Sequence, residues 1–415
     1  VYGLARSGRA TVAALTASGA ACVNWDDGEA ARAAFAGPLT NLHEIDLSAL
    51  EALIVSPGVP HSAPLFVKAL AAGIPVLGDV ELFALARPAL PPHRVVGITG
   101  TNGKSTTTAL IHHMLAAAGA PTQMGGNIGL PILSQDPLPA GGIYVLELSS
   151  YQLDITFSLD CDVAILLNIT PDHLERHGSL AAYAAAKARL FTMQSPFRTA
   201  IVGWDAEAEH DVLDYTEEPL IQFIEDIDAG NQAEWPALQG PHNLQNARAA
   251  VAACAALGLT SAEIAAGLRT YPGLPHRMQR IGEKSGVLWV NDSKATNADS
   301  SAPALSAFPA THWIAGGRPK LDSKGRADLA AVLPHLAGVK AAYLIGEAAP
   351  LFEPLLRPLL PVIMSGTLEQ AVADAAAAAC PGDTVLLSPA CASFDQFRDF
   401  EARGDAFATL VEALA

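Results

Sequence analysis

The residues with the clearest capacity for chemistry are Gly100-Thr101-Asn102-Gly103-Lys104-Ser105, between an apolar run and a long helical pattern. Glycines at such a turn let backbone N–H groups approach phosphate oxygens, and the helix N-terminus adds a favourable dipole. Lys104 can neutralise the terminal phosphates, and the Ser105 hydroxyl can ligate Mg²⁺. The spacing departs from the common phosphate loop. Position 98, where the first glycine would stand, is Ile, and Gly97 comes one residue too early. The plainer alternative is a glycine-rich turn with a solvated lysine. Strand, turn, Lys-Ser pair and helix together favour a phosphate site.

Further groups follow. Glu147 ends an apolar run and precedes Ser149-Ser-Tyr-Gln-Leu153. A carboxylate at the carboxyl end of a strand can hold Mg²⁺ against nucleotide phosphates; alone, it would be an ordinary surface Glu. Asn168-Ile-Thr-Pro-Asp-His173 also follows an apolar run. There His173 could ligate a metal and Asp172 could orient it, although a lone His at such a place is usually structural. Leu180, Tyr183, Ala184, Lys187, Leu190 and Phe191 share one helical stripe. Lys187 on that stripe either snorkels or is functional. Burial disfavours its charged form, and a neutral amine can take up carbon dioxide as a carbamate, supplying an anionic oxygen for a second Mg²⁺.

These groups need a scaffold. A strand–helix alternation runs through the chain, so α/β architecture with parallel sheets is expected. A helix is expected near 11–18, and strands at 21–25, 53–55 and 74–77. Arg87-Pro-Ala-Leu-Pro-Pro-His93 is a Pro-rich joint. After it come strands at 95–99, 143–148 and 163–168, with helices at 105–118 and 180–191. The acidic stretch 205–228 has no clear assignment. Tyr271-Pro-Gly-Leu-Pro-His276 is a second joint. Strands follow at 287–291, 311–315, 341–345 and 384–388. The expectation is three domains at 1–88, 89–274 and 275–415: a Rossmann-like N-terminal domain, a central P-loop ATPase-type α/β domain and a Rossmann-like C-terminal domain.

Composition agrees. The chain has 415 residues, half of them hydrophobic, enough for two to four domains. Its net charge of −17 and lack of a Lys/Arg cluster argue against nucleic acid as a partner. Five scattered cysteines without CxxC spacing suit reduced thiols in the cytoplasm. No apolar run reaches the length of a membrane span. The chain opens inside a strand-turn unit, so a few preceding residues are expected.

Together these motifs resemble the Mur ligases. The Gly100–Ser105 loop, Glu147-Leu-Ser-Ser-Tyr-Gln-Leu153, Asn168-Ile-Thr-Pro-Asp-His173 and Tyr183-x-x-x-Lys187 carry the resemblance in the central part. His242-Asn-Leu-Gln-Asn246, Pro275-His-Arg277 and Asn291-Asp-Ser-Lys-Ala-Thr-Asn297 extend it. Within that family, the 291–297 motif and Ser388-Pro-Ala-Cys-Ala-Ser-Phe-Asp-Gln-Phe397 are most similar to the member that adds D-glutamate. The resemblance implies a cytoplasmic, monomeric, ATP-dependent ligase acting on UDP-N-acetylmuramoyl-L-alanine and D-glutamate in peptidoglycan precursor synthesis, and so in cell shape and division.

The resemblance also implies roles. Gly100, Thr101, Asn102, Gly103, Lys104, Ser105 and Thr106 would cradle ATP, with Asn246, Arg277 and Asp292 on the nucleotide's base, phosphate and ribose side. Ser105, Glu147, His173 and a carbamylated Lys187 would hold two Mg²⁺ ions, with Lys104, Lys187 and His173 as the catalytic groups. Ser7, Asp26, Ser56, Gly58 and Asn127 would contact the UDP-sugar. Lys294, Thr296, Lys320, Ser393, Phe394 and Phe400 would frame D-glutamate. Two departures stand out. Gly3-x-Ala5-x-x-Gly8 has Ala where a dinucleotide fingerprint has Gly, which counts against an NAD protein. Gly316-Gly-Arg-Pro-Lys320 has Arg-Pro where the family suggests an acidic residue and Gly. The competing readings are a sibling ligase such as folylpolyglutamate synthase or another Mur ligase, and a P-loop nucleotide switch without ligation chemistry. A switch would leave Glu147, His173 and Lys187 without a purpose.

Overall fold

A computed structural model describes residues 1–203, 220–319, 321, 327 and 329–414. Lys320 and most of the 205–228 stretch lie outside the described residues. The chain separates into two compact units, Val1–Asn231 with Asn243–Thr270, and Gln232–His242 with Tyr271–Ala415.

The first unit begins with a small α/β module. Strands β1 (Leu53–Ile54) and β2 (Val76–Leu77) pair in parallel, and Tyr2 bridges to both Val55 and Trp25. The strand expected at 21–25 is reduced to that single bridge. Asp26 explains why: its carboxylate takes the Leu4 and Gly28 amides, which turns the chain away from the ladder. The helix expected near 11–18 starts earlier, at Arg6, and runs Arg6–Ala17. Helices Pro64–Ala71 and Asp79–Ala86 complete the module.

The larger sheet of this unit contains β3 (His93–Thr99), β4 (Thr122–Gly126), β5 (Gly142–Glu147), β6 (Val163–Leu166), β7 (Thr199–Val202) and β8 (Leu220–Phe223). Its order is β4-β5-β3-β6-β7-β8, and every pairing is parallel. Strands β5 and β6 are buried along their whole length, as expected for apolar runs covered by helices on both faces. The helices Lys104–Ala117 and Leu180–Thr192 match the expected 105–118 and 180–191 to within a residue. The small module is tied to this sheet by Glu81, which accepts from the Phe157 and Ser158 amides at 2.6 and 3.0 Å and from the Ser158 hydroxyl at 2.7 Å.

The second unit holds β9 (Gln279–Lys284), β10 (Val287–Asn291), β11 (Thr311–Gly316), β12 (Val339–Ile345), β13 (Val362–Gly366) and β14 (Thr384–Leu387), ordered β13-β12-β11-β14-β10-β9. Only the edge strand β9 is antiparallel to its neighbour. The core splits into two layers on the faces of this sheet, one around Trp313, Leu344 and Phe352, the other around Trp289, Tyr343 and Phe407. Where β11 and β14 begin, a buried polar cluster joins the strands. Asp383 accepts from Lys340 at 2.6 Å and from the Cys380 amide at 2.9 Å, and lies 3.2 Å from His312 Nε2. The other His312 ring nitrogen is 2.9 Å from the Tyr343 hydroxyl.

These bonds, led by the one from Lys340, pull the Asp383 carboxyl down to about 2. A carboxyl with a lowered folded pKa stabilises the fold above its unfolded value, and the effect fades as pH falls toward the folded value. Asp383→Asn should therefore cost about 1–3 kcal/mol at pH 7 through stranded donors. In urea melts at pH 7, 5 and 3, the gap to the parent chain should narrow only below about pH 4. A pH-independent gap would rule out the ionic contribution.

Candidate active site

Strand β3 ends at Thr99 and leads directly into the glycine loop. Its two neighbours, β5 and β6, end at Glu147 and just before Asn168. Parallel pairing thus brings three separate motifs to one carboxyl edge, where open α/β sheets gather their ligands.

Gly103 caps the helix Lys104–Ala117 in the left-handed region (φ 86°), with no side-chain cap. The N-cap residue of that 14-residue helix therefore supplies no side chain of its own to the helix start, where a phosphate cradle would sit. A Cβ at position 103 would stand 2.2 Å from Asn246 Oδ1. The loop is shaped by its neighbours. The Thr101 amide donates to the Asn168 carbonyl and the Asn102 amide to Asn168 Oδ1, each at 2.9 Å. Asn168 also donates to Gln245 at 3.2 Å, and Thr107 to Asn246 at 3.3 Å. Lys104 Nζ folds back onto the Gly100 and Thr101 carbonyls at 2.9 and 2.8 Å. Ser105 is buried at the helix start, and Thr106 follows it.

Lys187 is only 1% exposed. Its amine donates to the same Gly100 carbonyl at 2.8 Å and lies 4.5 Å from the Tyr183 ring centroid. Burial, and then the Lys104 charge, hold this amine well below the usual lysine range; Asp172 and Glu147 pull the other way. The snorkelling alternative fails on burial. Glu147 is also buried, and one oxygen accepts from Asn127 at 2.8 Å. The other oxygen, Oε2, has no hydrogen-bond partner among the described residues. A buried carboxylate with an unmatched oxygen fits a cation. His173 is exposed, in the left-handed region at φ 52°, with Nδ1 3.0 Å from the Tyr151 hydroxyl. Its ring lies 6.4 Å from that of Tyr183, which in turn meets Thr101. Among the described residues no three His, Cys, Asp or Glu groups converge enough to hold a metal ion. The unmatched Glu147 oxygen is thus the observation that fits a cation at this edge.

In the small module, Ser56 donates to the Gly3 carbonyl at 2.9 Å, and the Asp26 carboxylate holds the Leu4 amide at 2.6 Å. A Cβ at Gly8 would sit 1.8 Å from the Gly3 carbonyl oxygen, so the turn requires glycine there. Ser7 lies in the first turn of the helix Arg6–Ala17, and Gly58 is exposed beyond Ser56. Arg6 donates to the Gly129 carbonyl, which brings the loop carrying Asn127 to this helix start.

In the second unit, β10, β14 and β11 are neighbours, so the 291–297 and 388–397 motifs share an edge with Gly316. Burial pushes the Asp292 carboxyl up to about 7, against the Ser388 hydroxyl at 2.7 Å, the Met278 amide at 3.1 Å and the Arg277 charge. Lys294 Nζ lies 3.8 Å from the Phe400 ring centroid. Ser393 is buried, Thr296 is half-buried, and Phe394 is 61% exposed. Arg403, absent from the sequence reading, is 1% exposed and ties this edge together. It donates to Ser293 Oγ and O at 2.9 Å and to the Cys391 carbonyl at 3.0 Å. Its signal was present: Arg403 shares a helical face with Phe407 and Val411, the same oddity as Lys187. Tyr151 and Asn168, inside the motifs at 147–153 and 168–173, add contacts that their residue types alone do not signal.

Known proteins resemble this chain along its length. Residues 98–237 match the Mur ligase middle domain, and residues 276–391 the Mur ligase glutamate ligase domain. A relative from Novosphingobium aromaticivorans is 54% identical, covering 100% of this chain and 94% of its own. One from Zymomonas mobilis is 51% identical over 100% and 97%. Both are named UDP-N-acetylmuramoylalanine–D-glutamate ligase. Among solved structures, the MurF ligase of Thermotoga maritima in complex with ADP aligns with a TM-score of 0.60 at 18% identity, over 88% of this chain and 96% of that one. E. coli FolC in complex with DHPP and ADP aligns at 0.56, with 22% identity, over 81% and 93%. The chain belongs to the Mur ligase family of ATP-dependent amide-forming enzymes, with the multi-domain α/β architecture of that family, and within it to the branch of these two relatives.

The crowding at Gly103 gives a direct test of the loop. Gly103→Ala places a methyl against Asn246 in a left-handed backbone, so calorimetric titration with ADP should show affinity reduced by about tenfold or more. Parent-like affinity would remove the loop from the nucleotide site.

Proposed function

We propose that this chain joins D-glutamate to UDP-N-acetylmuramoyl-L-alanine, using ATP and giving ADP and phosphate. The carrying observation is the pair of amines on the Gly100 carbonyl, the half-buried Lys104 and the buried Lys187, beside the buried Glu147. A carboxylate and an amine do not condense unaided. The substrate carboxylate first takes the γ-phosphoryl group of ATP, giving an acyl phosphate. The amine of D-glutamate then attacks the acyl carbon, and phosphate leaves from the tetrahedral adduct.

This chain's residues have distinct tasks in that scheme. The amides after Gly103 and the Lys104 ammonium meet the terminal phosphates and offset charge building between two anions. Ser105, Glu147 and His173, with Lys187 as its carbamate, would hold two Mg²⁺ ions, which supply further charge neutralisation when bound. A depressed Lys187 pKa supports carbamate formation, because only the neutral amine attacks carbon dioxide. Ser7, Asp26, Ser56, Gly58 and Asn127 form the UDP-sugar side. Lys294, Thr296, Ser393, Phe394 and Phe400, with Lys320, form the D-glutamate side. Asn246, Arg277 and Asp292 would take the nucleotide's base, phosphate and ribose side, with Asn246 buried against the phosphate loop. Exclusion of water protects the acyl phosphate. The three domains are 1–88, 89–274 and 275–415, in the order UDP-sugar, ATP and amino acid. The enzyme works in the cytoplasm as a monomer.

Phosphate release should require ATP, Mg²⁺, UDP-N-acetylmuramoyl-L-alanine and D-glutamate together. L-glutamate, L-lysine and glycine should not substitute. Release indifferent to the sugar nucleotide and the amino acid would return the chain to a nucleotide switch.

Lys187→Ala should lower turnover by about 100-fold or more. Short carboxylic acids, which can stand in for the carbamate, should restore part of it. Full activity without any added acid would refute the carbamate.

A further inference from the structure

In the proposed reaction the attacking carboxylate is carried on the sugar nucleotide. Whatever holds the sugar nucleotide must therefore be fixed relative to the phosphate loop, because small misplacements of reacting atoms are costly. Arg176 links the loop after Gly58 to the Tyr151 and His173 segments of the central sheet. Arg176 donates from Nη1 to the Val59 carbonyl at 2.8 Å, across 117 residues of sequence. Val59 directly follows Gly58, and its amide closes a turn on the Ser56 carbonyl. The opposite face of Arg176 meets the catalytic edge. Its guanidinium carbon lies 5.0 Å from the Tyr151 ring centroid, and the Tyr151 hydroxyl is 3.0 Å from His173 Nδ1. The Arg176 amide also donates to the His173 carbonyl at 3.0 Å.

A side chain used only to bolt two segments together normally has its buried donors satisfied. Arg176 does not: its Nε–H is buried without a hydrogen-bond partner among the described residues. Burial first, then the Arg176 charge, lowers the His61 pKa, and Arg176 adds to the lowering at His177; the Asp154 carboxylate lies 3.9 and 3.8 Å from those two rings. Arginine is required for this geometry. A lysine could donate to Val59 but could not lay a planar face on Tyr151.

We propose that Arg176 is a positioning residue that holds the sugar-nucleotide loop 56–61 against the Tyr151–His173 pair, and so sets the acceptor carboxylate over the phosphate loop. The proposal rests on the ligase reading given above. The test compares the full chain with Arg176→Met and Arg176→Lys, measuring kcat, KM for UDP-N-acetylmuramoyl-L-alanine, ADP affinity and thermal stability. Arg176→Met should raise that KM and lower kcat, with about 100-fold lost in kcat/KM, while ADP affinity stays within about twofold. Arg176→Lys should fall between, and added guanidinium should restore part of the Met variant's kcat. Parent-like kcat and KM in Arg176→Met would overturn the proposal. So would a parallel loss of ADP affinity, which marks a general structural bolt. Should Arg176→Met not fold, Arg176→Lys decides alone. An unchanged kcat then refutes the proposal, and a clear fall with ADP affinity intact supports it. Parent enzyme that turns over without D-glutamate would instead refute the ligase reading and leave the loop contact untouched.

Discussion

Lys187 and Lys104 both donate to the carbonyl of Gly100, one from within the sheet's helical cover and one from the loop itself. Two ammonium groups cannot share one acceptor in a buried place without strong mutual repulsion. The arrangement is therefore stable only if one amine gives up its charge or gains an anionic partner. The deeper one, Lys187, is pushed toward the neutral form, because burial and the Lys104 charge act on it in the same direction, against Asp172 and Glu147. The rest of the central site follows from this constraint. Glu147 and Asp172 supply the nearby negative charge, and Tyr183 closes the space above the amine.

The second unit solves a related problem differently. There the buried cation is Arg403, and burial lowers its pKa only to about 10, so it keeps its charge. Its fork of donors goes to carbonyls and a hydroxyl at Ser293, Cys391 and Ala392. These are the turns that follow β10 and β14. A planar group with fixed donors suits such a clamp, as a flexible ammonium would not. A buried lysine is thus left free to change its chemistry, while a buried arginine holds loops in place.

The small N-terminal module illustrates a third use of buried polar groups. Glu81 anchors it through two backbone amides and a hydroxyl, contacts that carry no reaction chemistry. Arg176 approaches from another side with a donor unspent. The first contact matches both Glu81 oxygens to donors, whereas the second leaves Arg176 Nε unmatched among the described residues.

Much of this protein was decided locally and could be seen in the residue order. The Gly100–Ser105 loop sits between strand and helix because its glycines permit turns that other residues resist. The helices Lys104–Ala117 and Leu180–Thr192 follow from the spacing of their apolar residues. Lys187 announced itself as a charge on an apolar stripe, and Arg403 carried the same mark unnoticed. Other features depended on partners far away in the chain. Residue order could not say that β5 and β6 flank β3, because apolar runs of similar length pair equally well in several orders; that adjacency alone brings Glu147 and Asn168 to the loop. The strand expected at 21–25 shrank to one bridge once Asp26 took up the neighbouring amides. Whether Lys187 snorkelled or stayed inside was settled by the depth of its pocket. The reach of Arg176 to Val59 existed only after the small module had docked. Local conformational preference is written in neighbouring residues, whereas burial and long-range contact are properties of the assembled sheet.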